Sequence, residues 1–249
     1  MAPQTTLAER LEEVRARIAR AADRTRRDPA GITLIAVTKV FPAAVIREAW
    51  ELGVREFGEN YVQEFQGKFP HVAGLEGARF HLIGHLQSNK SARAAELFDA
   101  VDSLDSLRLA ERLNEAATKL HKHLPVLIEV KLSAEETKSG LDPESREAAE
   151  LLERLPELAN LRVQGLMTIA PWGVAEEATR TCFRSLREWR DRWAAAHPRL
   201  KLDVLSMGMS GDFGIAIEEG ATRIRIGTAL FGKRKKPEAE EPEETGESA

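Results

Sequence analysis

Eight times between residues 33 and 232, a short apolar run gives way to a helical stretch or, at the last, to the charged stretch KRKKPEAEEPEETGESA. The runs are TLIAVTK, REFGE, ARFHLIG, DAVDSL, LPVLIEVKL, LRVQGLMTIAP, KLDVLSMGMS and TRIRIGTALFG. Between them lie AAVIREAWELG, YVQEFQGKF, KSARAAELF, SLRLAERLNEAATKL, ESREAAELLERL, ATRTCFRSLREWRDRWAAA and DFGIAIEEG. Short runs rich in β-branched and aliphatic residues read as strands buried on both faces. Alternation of such strands with amphipathic helices signals a parallel sheet, and in a chain of 249 residues eight strands predict a single α/β TIM barrel. A barrel also says where to look for chemistry, because functional groups collect at the carboxyl ends of its strands and in the loops that follow.

Ahead of the first run, Leu7, Leu11, Val14 and Ile18 share one helical face among many charges, which predicts an extra amino-terminal helix over residues 5–27. The eighth helix is barely present after GTALFG, and the amino-terminal helix is expected to take its place outside the barrel. Residues 236–249 lack apolar periodicity and read as a disordered acidic tail, leaving residues 1–235 as one domain. The 36 basic and 40 acidic residues are thoroughly mixed, so no basic face advertises nucleic acid or anionic lipid, and a small-molecule partner is favoured. The amino end has no signal-peptide apolar core and no window has the length of a membrane span, so a cytoplasmic protein, working as a monomer, is expected. The single cysteine, Cys182, has no partner for an internal disulfide or a thiolate cluster; it reads as helix core, and no metal is expected.

The strand ends supply the candidate residues. Lys39 closes the first run, where a lone lysine would otherwise simply reach solvent. Asn60, in FGENYVQE, either caps the next helix or points into the barrel mouth. FHLIGHLQSNK sets His81 and Ile83 on one face, His81 being a core histidine or part of the site, and offers Gln87, Asn89 and Lys90 in its loop. The last two runs, LSMGMSGDFG and IRIGTALFG, are the most informative. Ser206 and Ser210 bring hydroxyls, Gly208 and Gly211 let main-chain amides approach an anion, and Gly227 and Thr228 add an amide and a hydroxyl at matching height. Either loop alone is compatible with ordinary turn glycines and capping serines; together they outline a phosphate cradle. Arg223, Arg225 and Gly227 share a face by strand alternation, and an inward Arg225 needs an acceptor. An amine, an anion cradle and an inward guanidinium match the needs of pyridoxal 5′-phosphate, which has an aldehyde, a phosphate and a ring nitrogen to satisfy.

The segments LIAVTK, FGENYVQE, FHLIGHLQSNK, GLMTIAP, LSMGMSGDF and IRIGTALFG follow one another across residues 34–232. With them the chain resembles the pyridoxal-phosphate homeostasis protein family, whose barrel is similar to the amino-terminal domain of alanine racemases. The resemblance implies that Lys39 forms the internal aldimine with pyridoxal 5′-phosphate and that Arg225 faces the pyridine nitrogen. It also implies that Ser206, Ser210, Gly227 and Thr228 hold the phosphate, with Asn60 and His81 belonging to the same site. Many members carry a second lysine two positions after the first; here Val40 and Phe41 follow Lys39. Lys138, in ETKSGLD, matches a common family position and otherwise reads as a solvated loop lysine.

The implied function is intracellular homeostasis of the cofactor: holding it on Lys39 and buffering it, or delivering it to apoenzymes that depend on it, without substantial turnover. A guanidinium beside the pyridine nitrogen disfavours protonation there and weakens the ring as an electron sink. Alanine racemases also draw a tyrosine acid/base from a second domain, whereas Tyr61 is the only tyrosine in this chain. The alternatives are an amino-acid racemase or lyase using the same lysine, and a partner-binding regulator acting through the tail or the amino-terminal helix.

Overall fold

Parallel strands cannot be joined by a tight turn, so each connection crosses over the outside of the sheet, and a helix is the usual way to satisfy its backbone. The computed structural model describes residues 5–132 and 139–232 and shows this arrangement carried round to closure. The strands are β1 (Thr33–Val37), β2 (Glu56–Glu59), β3 (Arg79–Leu82), β4 (Ala100–Leu104), β5 (Leu124–Glu129), β6 (Leu161–Met167), β7 (Val204–Ser206) and β8 (Arg223–Ile226). The α-helices are α1 (Leu7–Arg24), α2 (Ala43–Glu51), α3 (Val62–Lys68), α4 (Ser91–Leu97), α5 (Leu107–Lys119), α6 (Arg146–Arg154), α7 (Glu176–Ala196), α8 (Phe213–Glu218) and α9 (Thr228–Phe231). Each strand pairs in parallel with the next, and β8 closes on β1 with Thr33 opposite Arg223 and Ala36 opposite Ile226. The tail over 236–249 and Lys138 lie outside the described residues.

Strands are shorter than their apolar runs. β1 stops at Val37, so Lys39 sits in the turn beyond it and not in the ladder. β7 keeps only Val204–Ser206, because Gly208 turns the chain at φ +93°, where an added Cβ would lie 2.5 Å from that of Ala216. Outside the strands, Phe65 of α3 packs on Phe80 of β3 and on Phe98, with ring centroids 4.8 and 4.7 Å apart. This aromatic seam joins the barrel wall to its helical jacket.

The expected substitution of α1 for the missing eighth helix is realised. Thr6 caps α1 in a reciprocal box with Glu9, the Glu9 amide donating to Thr6 Oγ1 and the Thr6 amide to Glu9 Oε2. Leu7, Leu11, Val14 and Ile18 are buried, and the helix packs on α8 and on the single turn of α9. Polar contacts fix the docking: Arg10 donates to the carbonyl of Leu230, and Arg27 donates to those of Ile217 and Ala221, each at 2.7 Å. Since α8 and α9 follow the two strands expected to cradle phosphate, α1 supports that side of the mouth from behind.

Leu11 is almost fully buried in this seam. Leu11→Ala is expected to cost about 2 to 5 kcal/mol, as large-to-small core changes do. Urea unfolding is the measurement, and a loss under about 1 kcal/mol would mean that α1 is peripheral to the core.

Candidate functional site

The barrel interior is a polar stack capped by a cavity. Deep inside, β8 presents Arg223, whose Nη1 donates to both oxygens of Asp102 at 3.2 and 3.0 Å. His81 lies beside this pair, its Nδ1 3.4 Å from Asp102 and its Nε2 2.5 Å from Glu56. Burial works against the charges of Asp102 and His81, and their partners overcome it. Burial pushes the Asp102 carboxyl up, but the charges of His81 and Arg223 hold it at about 2. Burial pulls the His81 imidazole down, yet the Asp102 charge and the two carboxylate contacts carry it above its ordinary value.

One layer higher, Arg225 is 4% exposed and doubly anchored. Its Nη1 donates to Ser206 Oγ and its Nη2 to the carbonyl of Thr168, both at 2.8 Å. Burial lowers its pKa, opposed by the charges of Asp102, Glu129 and Asp212. Above it opens a cavity of about 520 Å³ lined by Val37, Lys39, Asn60, Ile83, Ile169, Trp172, Met209, Ser210, Gly211, Arg225, Gly227, Thr228 and Ala229. Seven of the candidate residues named from the sequence therefore meet around one space: Lys39, Asn60, Ser210, Gly211, Arg225, Gly227 and Thr228.

His81 and Ser206 do not line it. His81 shares its strand face with Ile83 but sits two residues lower, about 7 Å down the barrel, so Ile83 reaches the cavity and His81 the polar stack. Ser206 lies beneath Arg225, where its hydroxyl accepts from the guanidinium. Ser210 lines the cavity while its Oγ accepts from the Ala229 amide at 3.1 Å, tying the loop after β7 to the start of α9. Asn60 is brought close by Gly84, where an added Cβ would stand 2.5 Å from the Asn60 carbonyl oxygen.

Several lining residues escaped sequence reasoning. Trp172 in the loop after β6 is 85% exposed and overhangs the cavity with Ile169. An aromatic residue in the turn-rich stretch APWGV was the available signal. A second cavity of about 460 Å³ adjoins the first, sharing Asn60, Ile83 and Ile169, and is lined further by Tyr61, His85, Gln87, Lys90, Glu129 and Ser139 among others. Burial pushes the Glu129 carboxyl up, partly offset by the hydrogen bond Ser139 donates to Oε1. Among the described residues, five of the six exposed large apolar side chains, Val40, Tyr61, Ile169, Trp172 and Val174, follow the ends of β1, β2 and β6 and so lie on the mouth side of the barrel; the sixth, Leu120, ends α5.

The family model of the alanine racemase N-terminal domain matches residues 10–235. The chain is 46% identical over 230 residues to the pyridoxal phosphate homeostasis protein of Pseudomonas aeruginosa, an alignment covering 92% of this chain and 96% of that one. It is 44% identical to the protein of the same name from Aquifex aeolicus, covering 91% and 98%. The chain belongs to the pyridoxal phosphate homeostasis protein family. Among solved structures, this family member is similar to PipY of Synechococcus elongatus with pyridoxal phosphate bound, at TM-score 0.82 and 40% identity over 91% of this chain and all of that one. Alanine racemase of Clostridium difficile shares the fold alone, at TM-score 0.66 and 15% identity, covering 90% of this chain and 57% of that one.

The polar stack of this family member carries a pH signature. His81 has a raised folded pKa, so its contribution is complete below its unfolded value of about 6.5 and is lost as pH rises through the folded one. Asp102 is depressed, so its contribution holds above about 3.9, the unfolded value, and is lost as pH falls through about 2. His81→Gln is therefore expected to destabilise more at pH 5.5 than at pH 9 in urea unfolding. Equal losses at both pH values would show that the imidazolium adds nothing.

Proposed function

We propose that this protein holds pyridoxal 5′-phosphate in the 520 Å³ cavity, with Lys39 as the amine that condenses with its aldehyde, and serves its homeostasis without substantial turnover. The observation that carries this reading is a buried, doubly anchored guanidinium and a lysine on the same cavity wall as the loops after β7 and β8. The residues present fit the group in kind. Lys39 supplies the amine, Arg225 a fixed donor for a ring nitrogen, and Ser210, Gly211, Gly227 and Thr228 amides and hydroxyls for a phosphate. The cavity is within the range of about 300 to 1,000 Å³ usual for small-molecule sites. The sequence likeness to homeostasis proteins, and to a PipY solved with the cofactor, supports the same choice of ligand.

When bound to a lysine, the cofactor supplies an electrophilic carbon and an aromatic ring able to delocalise electrons. The residues around the cavity dispose that chemistry towards holding. Arg225 remains a cation whatever binds and cannot serve as the carboxylate that would accept a ring N–H and keep the nitrogen protonated. Tyr61, the one tyrosine, is exposed and lines the neighbouring cavity, so it does not stand on the first cavity's wall as a second acid/base group. The apolar rim of Val40, Tyr61, Ile169, Trp172 and Val174 supports transfer of the cofactor to apoenzymes docking at the mouth, since exposed apolar clusters mark contact surfaces.

Borohydride reduction after incubation with the cofactor, followed by peptide mapping, is expected to find the pyridoxyl group on Lys39 and to find none on the Lys39→Ala protein. Attachment at another lysine in the wild type would overturn the assignment. The site geometry also separates two hydroxyls. Thr228→Val is expected to weaken pyridoxal phosphate about tenfold or more while sparing pyridoxal, because a hydrogen bond to a charged group contributes roughly 1.5 to 3 kcal/mol. Ser206→Ala, acting through Arg225, is expected to weaken both ligands alike. Absence of turnover is checked by α-proton exchange of amino acids in deuterated buffer against the Lys39→Ala blank. Multiple lysine-dependent turnovers would make the protein an enzyme of the racemase or lyase kind.

A further inference from the structure

The turn that carries Lys39 is strained and clamped, and its clamp is made by side chains outside the cavity lining. Residues Thr38–Phe41 form a β-turn closed by the Phe41 amide donating to the Thr38 carbonyl at 3.0 Å. Its third residue, Val40, has φ +63°, the left-handed region that turns of this shape require and that β-branched residues avoid. Glycine would occupy this place without penalty, and asparagine at less cost than valine. Such a conformation persists where the surroundings over-determine it.

Here they do. The Val40 amide donates to Glu64 Oε1 at 2.5 Å. Glu64 is paired at 2.6 Å with Lys68 one helical turn along α3, and Lys68 is itself only 8% exposed. Lys68 Nζ reaches back to the Thr38 carbonyl at 2.9 Å and to both oxygens of the fully buried Glu59 at 2.9 and 3.1 Å. Thr38 Oγ1 donates to the same Glu59 at 2.7 Å. Beyond the turn, the Phe41 ring lies 5.3 Å from that of Phe231 in α9. Both sides of Lys39 are thus anchored, one to β2 and α3, the other to the helix beside Thr228.

We infer that Glu64 and Lys68, acting through the left-handed Val40, are positioning residues that hold the Lys39 backbone so that its amine is presented to the cavity. The ion pairs also keep Lys68 occupied with Glu59 and Glu64, so the second lysine of this cluster is bound into the scaffold while Lys39 lines the cavity. This inference rests on the reading of Lys39 as the reactive amine. It predicts that what matters at position 40 is tolerance of positive φ, and at position 64 a hydrogen-bond acceptor.

The experiment is the rate of pyridoxal attachment, trapped with borohydride and mapped by peptide, as a function of pH, alongside thermal melting of each variant. Glu64→Ala removes the acceptor and Val40→Pro forbids positive φ; both are expected to slow labelling of Lys39 about tenfold or more at every pH, as displaced reacting groups do. Glu64→Gln and Val40→Asn retain the acceptor and the left-handed turn and are expected to label within about twofold of wild type. Folded Glu64→Ala that labels Lys39 at the wild-type rate would overturn the inference, as would Gln and Asn variants that fall as far as Ala and Pro. A wild-type protein labelled elsewhere than Lys39 would remove the underlying reading and this inference with it, an outcome visible before any variant is made.

Discussion

Placing arginines inside a closed barrel is the constraint to which the rest of the interior answers. A guanidinium taken out of water loses its hydration and must recover it from fixed acceptors. Arg223 and Arg225 lie on the same face of β8, one rung apart, and each organises a layer. Arg223 gathers Asp102, with His81 and Glu56 completing the contacts, so the floor of the barrel is a network of alternating charges. Arg225 draws Ser206 from β7 and the Thr168 carbonyl from the end of β6, so strands 6, 7 and 8 are tied by side-chain bonds as well as by their ladder. Removing one partner from such a layer leaves a buried charge exposed to the full desolvation cost, which makes the layers mutually dependent.

The same layering assigns roles by height. A residue two positions lower on a strand occupies the same face yet a different environment. His81 serves the floor and Ile83 the cavity; Arg223 serves the floor and Arg225 the cavity; Ser206 steadies the guanidinium while Ser210 stands on the cavity wall. Around the mouth, the supports come from outside the barrel. α1 backs α8 and α9, α9 meets Phe41 through Phe231, and α3 clamps the Lys39 turn through Glu64 and Lys68. The cavity is therefore held by elements distributed over the whole chain, and an amino-terminal helix of amphipathic but otherwise unremarkable sequence becomes part of its frame.

Much of this was legible in the chain itself. The alternation of buried strands and amphipathic helices, period 2 against period 3.6, specified a parallel barrel, and Leu7, Leu11, Val14 and Ile18 specified a helix that needed a place to bury. Strand alternation put Arg223, Arg225 and Gly227 on one face, and the barrel's own geometry then gathered Lys39, Asn60, Ser210, Arg225, Gly227 and Thr228 at one end. These inferences succeed because they depend on local periodicity and on the rule that strand ends converge.

Tertiary structure alone decided depth, partners and strain. Periodicity shows which face a side chain takes but not how far along the barrel axis it lies relative to a residue from another strand, because that is set by the stagger of the closed ladder. Hence His81 and Ser206 could be named as candidates for the site but not recognised as floor and brace. Nor does sequence show that Val40 must adopt a left-handed turn, since its own preference runs the other way and the conformation is imposed by Glu64, Lys68 and Glu59 from β2 and α3. Residue types and their spacing determined the barrel and the chemistry at its mouth; the positions of individual groups within that mouth follow from contacts between segments distant in the chain, which exist only once the barrel has closed.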